Sequence, residues 1–226
     1  MNEKKVLDQG LVRLVDFMGG DVAVVQAARV SFGKGETNDE RDRKLIHYLM
    51  AHKHETPFEH SVFKFHIKCP IFVARQWFRH RIASYNEISG RYTKMKEEFY
   101  MPEKLRSQLA RNYVYTELDN EENEKLKEKI ATFYQNVYDF YKELLEHGVA
   151  KEHARIVLPL SLYTQFYWTI NARALLNFLA LRLDKHAQFE IREYARVIGD
   201  IMQEKMPWTY EAFNKYMIEK QEWSEN

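Results

Sequence analysis

The residues of this chain that could do chemistry are concentrated between positions 70 and 92, where the sequence reads PIFVARQWFRHRIASYNEISGRY. Apolar residues recur through the first part of this segment, and they predict a largely buried helix over 71–81 with the proline at its first position. Helical spacing would place Gln76, Arg79 and His80 on one face of that helix. The pattern therefore predicts a polar, cationic face on an otherwise apolar helix.

The arginines of this segment favour an anionic ligand. A buried guanidinium needs an anionic partner, and Glu87 alone cannot supply one for Arg75, Arg79, Arg81 and Arg91. Phosphate or another anion is a natural supplement. The polar stretch that follows carries hydroxyl, amide and carboxylate groups suited to recognising a heterocycle or a ribose. A solvated basic face with structural ion pairs fits the same pattern, as does nucleic-acid binding through arginines and aromatic residues.

A second group of polar residues accompanies an apolar helix that ends at Arg182. Asn171 is suited to cap this helix, and Arg173 lies in its first turn, so that the helix N-terminus and a guanidinium would attract the same anion. Asn177 follows one turn later in an otherwise apolar stretch, where a buried amide would need hydrogen-bond partners. The helix would hold Arg182 in a low-dielectric wall, although a last-turn cation also suits the helix carbonyls without any ligand.

Hydrophobic periodicity predicts the elements that must position these residues. One long helix opens in the polar region 119–129 and ends at Gly148, a second follows an Asn-Asp-Glu start at 38–40, and a third runs over 186–206. Strand-like segments are predicted at 11–17, 61–68 and 162–170. Because strands and helices do not alternate regularly, we expect an α+β fold.

Composition limits the class of protein. The 226 residues include 34 Lys+Arg and 33 Asp+Glu, for a net charge of +1, which argues against a protein that coats nucleic acid or a membrane. A 45% hydrophobic share favours a folded protein over a disordered one. No apolar run reaches the ~20 residues of a membrane span, and no secretory signal is recognisable at the start. We therefore expect a soluble, cytoplasmic protein with a single domain over residues 1–226.

Several familiar motifs are missing from the sequence. It contains no G-x-G-x-x-G, Walker, G-x-S-x-G or H-E-x-x-H pattern. His52, His54, His60 and His66 match no usual zinc spacing, so we predict no metal site. The single cysteine, Cys69, excludes an internal disulfide, and its surroundings favour a small buried residue over a nucleophile.

The segment Arg79-His80-Arg81-x-x-Ser84-x-Asn86-Glu87-x-Ser89-x-Arg91-Tyr92 resembles the signature of the flavin-dependent thymidylate synthases, with every fixed position occupied. Further blocks are similar to that family and follow its order. They are Ala27 to Phe32, His52 to His60, Ala154 to Pro159 and Asn171 to Arg182. The resemblance covers most of the chain and is least diagnostic over 95–124 and in the C-terminal tail.

The resemblance implies an activity and its cosubstrates. Members of the family methylate dUMP to dTMP with methylenetetrahydrofolate as carbon donor, and their tightly bound FAD is reduced by NADPH. It also implies a homotetramer with active sites shared between subunits, no nucleic-acid or membrane partner, and an α+β fold with a mixed sheet and long helices, distinct from the Rossmann fold. A flavin reductase without methyl transfer and a nucleic-acid-binding module are the alternatives.

The resemblance further assigns residues to the two ligands. FAD contacts fall on Thr56, Arg79, His80, Arg81, Glu87, Asn171, Ala172, Arg173 and Asn177. Contacts to dUMP fall on Gln76, Trp77, Phe78, Arg79, Glu87, Ile88, Ser89, Gly90, Arg91, Arg155 and Arg182. His54 matches a family histidine near the flavin and the folate.

The proposed reaction needs an activated pyrimidine. Uracil C5 is a poor nucleophile, and one way to activate it is addition of a thiolate to the neighbouring carbon. Cys69 is poorly placed for that role. A fixed guanidinium can instead stabilise the ring when N3 loses its proton and negative charge spreads toward C5. Arg182 matches the family position for this catalytic role.

Other site residues have structural explanations that the sequence leaves open. Thr56 begins a T-P-F-E segment that fits a capping box. Arg155 could pair with Glu152 on a short surface helix. Ser89 has no evident base beside it, so a hydrogen bond from its hydroxyl to a nucleotide is favoured over a nucleophilic role. His54 could simply order its loop.

Overall fold

The computed structural model describes residues 3–30, 38–108 and 115–219. Ser31 and Phe32, which end one of the family-like blocks, lie outside these residues. The strands are β1 (Glu3–Val6), β2 (Gly10–Met18), β3 (Val62–Pro70), β4 (Ser84–Glu87), β5 (Arg106–Gln108), β6 (Tyr115–Glu117) and β7 (Tyr163–Asn171). The α-helices are α1 (Asp21–Arg29), α2 (Asp39–Ala51), α3 (Ile71–Trp77), α4 (Asn120–Glu146), α5 (Lys151–Ala154), α6 (Ala172–Arg182), α7 (Phe189–Lys205) and α8 (Pro207–Phe213).

The centre of the fold is a five-stranded sheet with the order β1-β2-β3-β7-β4, while β5 and β6 form a separate pair. All strand pairs in the described ranges are antiparallel, and in the central pair Phe65 lies opposite Trp168. The α+β class is therefore confirmed, whereas the expected mixed sheet is replaced by an antiparallel one. The long helical connection 19–61 between β2 and β3 returns the chain antiparallel to β2, so even these neighbours form an antiparallel pair.

The main core lies on one face of this sheet, because successive strand residues alternate between its two faces. Side chains from β3 and β7 pack there against α3, α6 and α7. The core-facing residues of the two strands are Phe63, Phe65, Ile67, Cys69, Phe166, Trp168 and Ile170. A second, smaller apolar cluster forms around Tyr138 and Tyr141 of α4.

The ends of the predicted helices lie close to where the sequence placed them. The Asp119 carboxylate accepts a hydrogen bond from the backbone N–H of Glu122 at 3.1 Å and caps α4, and Gly148 follows the helix with a φ of 79°. The Asn38 side chain caps α2 by accepting from the N–H of Arg41 at 2.9 Å. The third predicted helix is α7, which is slightly shorter than expected.

The start of α8 is stabilised by a residue far away in the sequence. Asp21 is only 7% exposed, and its carboxylate accepts from the backbone N–H groups of Trp208 at 2.8 Å and Thr209 at 3.1 Å. The Thr209 hydroxyl donates to the same carboxylate at 2.6 Å. This cap ties α1 to α8. No helix in the described part of the chain is both long and apolar enough to cross a membrane.

Candidate active site

Helix α3 is shorter than predicted. Pro70 is the last residue of β3, with φ −60° and ψ 147°, and the helix ends at Trp77 instead of continuing to position 81. The Tyr85 hydroxyl, on β4, donates to the carbonyl oxygen of His80 at 2.7 Å and lies 3.3 Å from that of Trp77. Arg79 and His80 therefore lie in a turn after the helix, and the expected common helix face is wrong.

The arginines of this segment are exposed, so the expectation of a buried arginine-bearing helix is also wrong. The apolar side of α3 is buried, while Arg75, Arg79 and Arg81 face solvent. In the described ranges none of the three forms an ion pair with a carboxylate. Their charges are consequently available to an anionic ligand.

Arg182 is held at the end of α6 by uncharged acceptors. Its Nε donates to Nε2 of His80 at 3.0 Å, and its Nη2 donates to the backbone oxygen of Gln76 at 3.3 Å. The guanidinium is half-buried, and this burial lowers the pKa of Arg182. No described carboxylate pairs with it, so the half-buried charge would be stabilised further by an anion.

His80 is a neutral partner for this cation. Burial, followed by the nearby charge of Arg182, lowers the pKa of His80 from 6.5 to about 4. Since Nε2 accepts from Arg182, the hydrogen-bond geometry assigns the ring proton to Nδ1. The imidazole also lies edge-on to Phe178, with ring centroids 4.9 Å apart. His80 can therefore orient Arg182 without neutralising it.

At the other end of α6 the predicted cap is confirmed. The Asn171 side chain accepts from the N–H of Ala174 at 2.9 Å. Arg173 is already paired, because its Nε donates to Glu55 at 2.9 Å and its Nη1 to Glu59 at 2.5 Å. The Glu59 hydrogen bond is the main cause of a raised pKa for Arg173. An anion at this helix end would have to share the guanidinium with two carboxylates.

The capping box expected at Thr56 is absent. Residues Thr56–His60 form a short 3₁₀ helix without a side-chain cap, because Glu59 turns to Arg173 instead of back to the helix start. Thr56 itself is exposed. Its hydroxyl is therefore free of the structural role that the sequence suggested.

Two further residues of α6 differ in exposure. Ala172 is completely buried in the main core, whereas Asn177 is exposed, which contradicts the expectation of a buried amide. Asn177 lies one turn beyond Arg173 on the same side of the helix. Its amide is therefore accessible to a ligand beside Arg173.

The segment predicted as a polar loop begins instead as the edge strand β4, in which Glu87 lies opposite Phe166 of β7. The Thr164 hydroxyl donates to Oε1 of Glu87 at 2.5 Å. Backbone pairing continues one residue further, from the N–H of Ile88 to the oxygen of Gln165 at 2.9 Å. These bonds fix the position of the Glu87 carboxylate relative to the sheet.

The turn after β4 places Gly90 against Arg155 and Arg91 beside Glu152. A Cβ on Gly90 would lie 3.1 Å from Cδ of Arg155, so the missing side chain permits this close approach. Arg91 lies 3.6 Å from the carboxylate of Glu152, which therefore pairs with Arg91 and not with Arg155 as the sequence allowed. Ser89 accepts a hydrogen bond from the N–H of Arg91 at 3.3 Å.

Two predicted nucleotide contacts are wholly or partly core residues. Trp77 is 0% exposed, and its ring meets Trp168 edge-on at 5.2 Å. Neither its side chain nor its backbone is exposed in this chain, so a ligand contact at Trp77 would require its neighbours to move apart. Phe78 is half-buried and packs edge-on against Tyr85 at 5.0 Å.

Cys69 lies in the core, whereas His54 lies at the surface. Cys69 is 0% exposed and burial raises the pKa of its thiol well above the ordinary value, which confirms the prediction of a small buried residue. His54 is exposed and lies edge-on to Tyr48 at 5.9 Å. Within residues 3–30, 38–108 and 115–219, no group of three or more His, Cys, Asp or Glu side chains could hold a metal ion.

Sequence reasoning missed the residues that hold this site in place. Tyr85 fixes the turn that carries His80, Thr164 orients Glu87, and Gln188 accepts a hydrogen bond from the Gln76 side chain. The alternating sequence Ser-Tyr-Asn-Glu could have identified β4 as a strand with an inward-facing tyrosine. The contacts of Thr164 and Gln188 leave no such local signal.

The fold matches that of nucleotide methylases of known structure. The crystal structure of the UMP/dUMP methylase PolB from Streptomyces cacaoi bound with 5-Br dUMP has a TM-score of 0.87 and 33% identity, covering 95% of this chain and 98% of that chain. The structure with 5-Br UMP has a TM-score of 0.85 and 36% identity, covering 94% and 97%. These likenesses confirm the class of fold.

Sequence comparison identifies the family. The profile of the "Thymidylate synthase complementing protein" family matches residues 13–208. The flavin-dependent thymidylate synthase of Thermosipho africanus is 58% identical over 216 residues, 95% of each chain. That of Thermotoga neapolitana is 59% identical over 211 residues, 93% of this chain and 94% of the relative. The chain therefore belongs to the flavin-dependent thymidylate synthase family of enzymes.

Proposed function

We propose that this chain methylates dUMP to dTMP, with methylenetetrahydrofolate as carbon donor and FAD reduced by NADPH. The half-buried guanidinium of Arg182 carries the proposal, because it is oriented by uncharged acceptors and has no described carboxylate partner. The names of the relatives and of the solved methylases support the same substrate.

Arg182 activates the pyrimidine in this proposal. When uracil loses its N3 proton, negative charge spreads over the ring, and a fixed guanidinium in a partly desolvated site stabilises that charge. C5 then becomes electron-rich enough to take up the one-carbon unit. Cys69 takes no part, because its thiol is buried in the core and its pKa is raised by burial.

In our proposal the nucleotide lies along the turn that follows β4, which contains Ser89, Gly90 and Arg91. Arg91 and Arg155 bind its phosphate, since guanidinium groups bind phosphate bidentately. The lack of a side chain at Gly90 lets Arg155 approach, and Ser89 donates a hydrogen bond to the nucleotide. The remaining dUMP contacts are those that the family signature assigns. They are Gln76, Trp77, Phe78, Arg79, Glu87, Ile88 and Arg182.

The residues present fit FAD. Arg79 and Arg81 are exposed cations without described carboxylate partners, and the exposed Asn177 amide lies beside the N-terminal turn of α6. These groups suit phosphate oxygens and the polar edge of a flavin. Once reduced by NADPH, the bound flavin would supply the hydride that completes the methyl group. Further FAD contacts follow from the family. They are Thr56, His80, Glu87, Asn171, Ala172 and Arg173, with His54 near flavin and folate.

We further propose that the active enzyme is a homotetramer whose sites are shared between subunits. Large apolar side chains adjoin the site residues at the surface of this chain: Ile82 is 76% exposed, Ile156 78% and Leu181 59%. They follow or precede Arg81, Arg155 and Arg182 directly in the sequence. Exposed apolar side chains of this kind are typical of surfaces that a partner covers.

Two measurements test the function. The visible spectrum of the purified protein after addition of FAD shows whether it binds flavin. Release of the C5 hydrogen of dUMP in the presence of methylenetetrahydrofolate and NADPH shows methylation. A flavin reductase would oxidise NADPH without releasing that hydrogen. A nucleic-acid-binding module would stay colourless and be retained on DNA or RNA in a salt-sensitive manner. Either result would contradict the proposal.

A further inference from the structure

Tyr85 occupies a position that the family signature leaves open. It lies on the edge strand β4, where it pairs with Trp168 of β7. Its half-buried ring packs edge-on against Phe78 at 5.0 Å and lies 6.0 Å from Phe166, between ring centroids. The tyrosine side chain is therefore wedged between the edge strand and the end of α3.

The hydroxyl of Tyr85 holds the turn that follows α3. It donates to the backbone oxygen of His80 at 2.7 Å and lies 3.3 Å from that of Trp77. No other described residue donates to the His80 oxygen. Burial raises the pKa of Tyr85 to about 12, so the hydroxyl stays protonated, and able to donate, at any pH near neutrality.

The same turn carries the imidazole that contacts Arg182. His80 therefore accepts two hydrogen bonds. Its backbone oxygen accepts from the Tyr85 hydroxyl, and its Nε2 accepts from the Arg182 guanidinium at 3.0 Å. Tyr85 and His80 are close in sequence, whereas Arg182 comes from α6, 102 residues beyond His80. The hydroxyl therefore connects the edge strand of the sheet to the cation at the end of α6.

We infer that Tyr85 is a positioning residue for the methylation reaction: its hydroxyl fixes the His80 backbone and, through the imidazole, the orientation of the Arg182 guanidinium. The role in the reaction rests on the proposed function, whereas the role in holding His80 does not. Preorganised donors are effective only when their direction is fixed before the charge develops. A looser turn would let the imidazole move and the guanidinium turn toward solvent.

The test is Tyr85→Phe, which removes the hydroxyl and keeps the ring that packs on Phe78. One net hydrogen bond is worth roughly a twofold to tenfold change in an equilibrium, so we expect kcat for dUMP to fall about fivefold to tenfold with little change in KM. In the enzyme without ligands, the pKa of His80, followed by NMR of its ring protons, should rise from about 4 toward 6.5 as water reaches the ring.

The matched control is Tyr134→Phe, which removes another tyrosine hydroxyl that donates to a backbone oxygen, that of Tyr100, at 3.0 Å. This control should leave kcat and the His80 titration unchanged, and unfolding midpoints check that both variants are folded. The inference is overturned if the Tyr85 variant behaves like the control in either measurement. Failure of the wild-type enzyme to methylate dUMP would instead contradict the proposed function, while the titration would still test the hold on His80.

Discussion

The Nε of Arg182 and the Nε2 of His80 are joined by a 3.0 Å hydrogen bond between a cation and a neutral base. Arg182 affects the protonation of His80, and His80 affects the orientation of Arg182. The guanidinium helps to keep the imidazole unprotonated, and the imidazole directs the guanidinium without cancelling its charge. A carboxylate at the position of the imidazole would neutralise the cation. The guanidinium would then attract a substrate anion less strongly.

Replacing Arg182 tests its role in activating uracil. Arg182→Gln removes the charge and should lower kcat for methylation about 100-fold or more, the size of effect typical of a lost preorganised donor. Arg182→Lys keeps a charge but lacks the Nε donor, so an intermediate loss is expected. The measurement is release of the C5 hydrogen of dUMP. Arg196→Gln, at an exposed ion pair with Glu193 on α7, is the control, and normal turnover in Arg182→Gln would disprove the assignment.

The titration of His80 should be unusual. Its pKa is about 4 in the folded protein and near 6.5 when unfolded, so the unfolded state binds more protons between these values. The contribution of neutral His80 to stability is therefore present above pH 6.5 and is lost as the pH falls toward 4. Unfolding midpoints measured over this range should decline less in His80→Gln than in the wild type.

The same titration separates the two causes of the shift. In Arg182→Gln the His80 pKa should rise, because the charge is gone, but it should stay below 6.5, because burial is the larger cause. NMR of the ring protons measures this directly. A His80 pKa near 6.5 in the wild type would contradict the burial and contact described for this residue.

Replacing the only cysteine tests for thiol catalysis. Cys69→Ala should leave dUMP turnover largely intact, because the thiol lies in the core on β3 and its pKa is raised by burial. The expected cost is in folding, about 1 kcal/mol for a small loss of buried volume. Denaturant unfolding measures that cost. Complete loss of turnover in a variant that still folds would restore the thiol as a candidate nucleophile.

Replacing Arg173 separates flavin binding from stability. Arg173→Ala should weaken FAD binding, measured by flavin fluorescence, because a cation at the start of α6 is lost. The unfolding midpoint should change little, since the ion pairs with Glu55 and Glu59 are exposed. Arg43→Ala breaks a similar exposed pair with Glu211 and should leave FAD affinity unchanged. Equal FAD affinity in the two variants would argue against a flavin contact at Arg173.

The sequence was sufficient for features that depend on neighbouring residues. The caps at Asn38, Asp119 and Asn171 each join a side chain to a backbone N–H three residues later, so composition and spacing predict them. The core strands were equally predictable, because alternation along a strand is a local pattern. The signature also identified the family before any distance was known.

What only the tertiary structure decided depends on residues far apart in the chain. The end of α3 is set by Tyr85 on a strand, the pairing of Arg173 by glutamates 114 and 118 residues away, and the environment of Arg182 by a histidine 102 residues away. Burial of Trp77 and exposure of Asn177 likewise follow from which helix face meets the sheet. Helical propensity and motif spacing carry no information about such contacts, since their energies arise only when distant segments pack together.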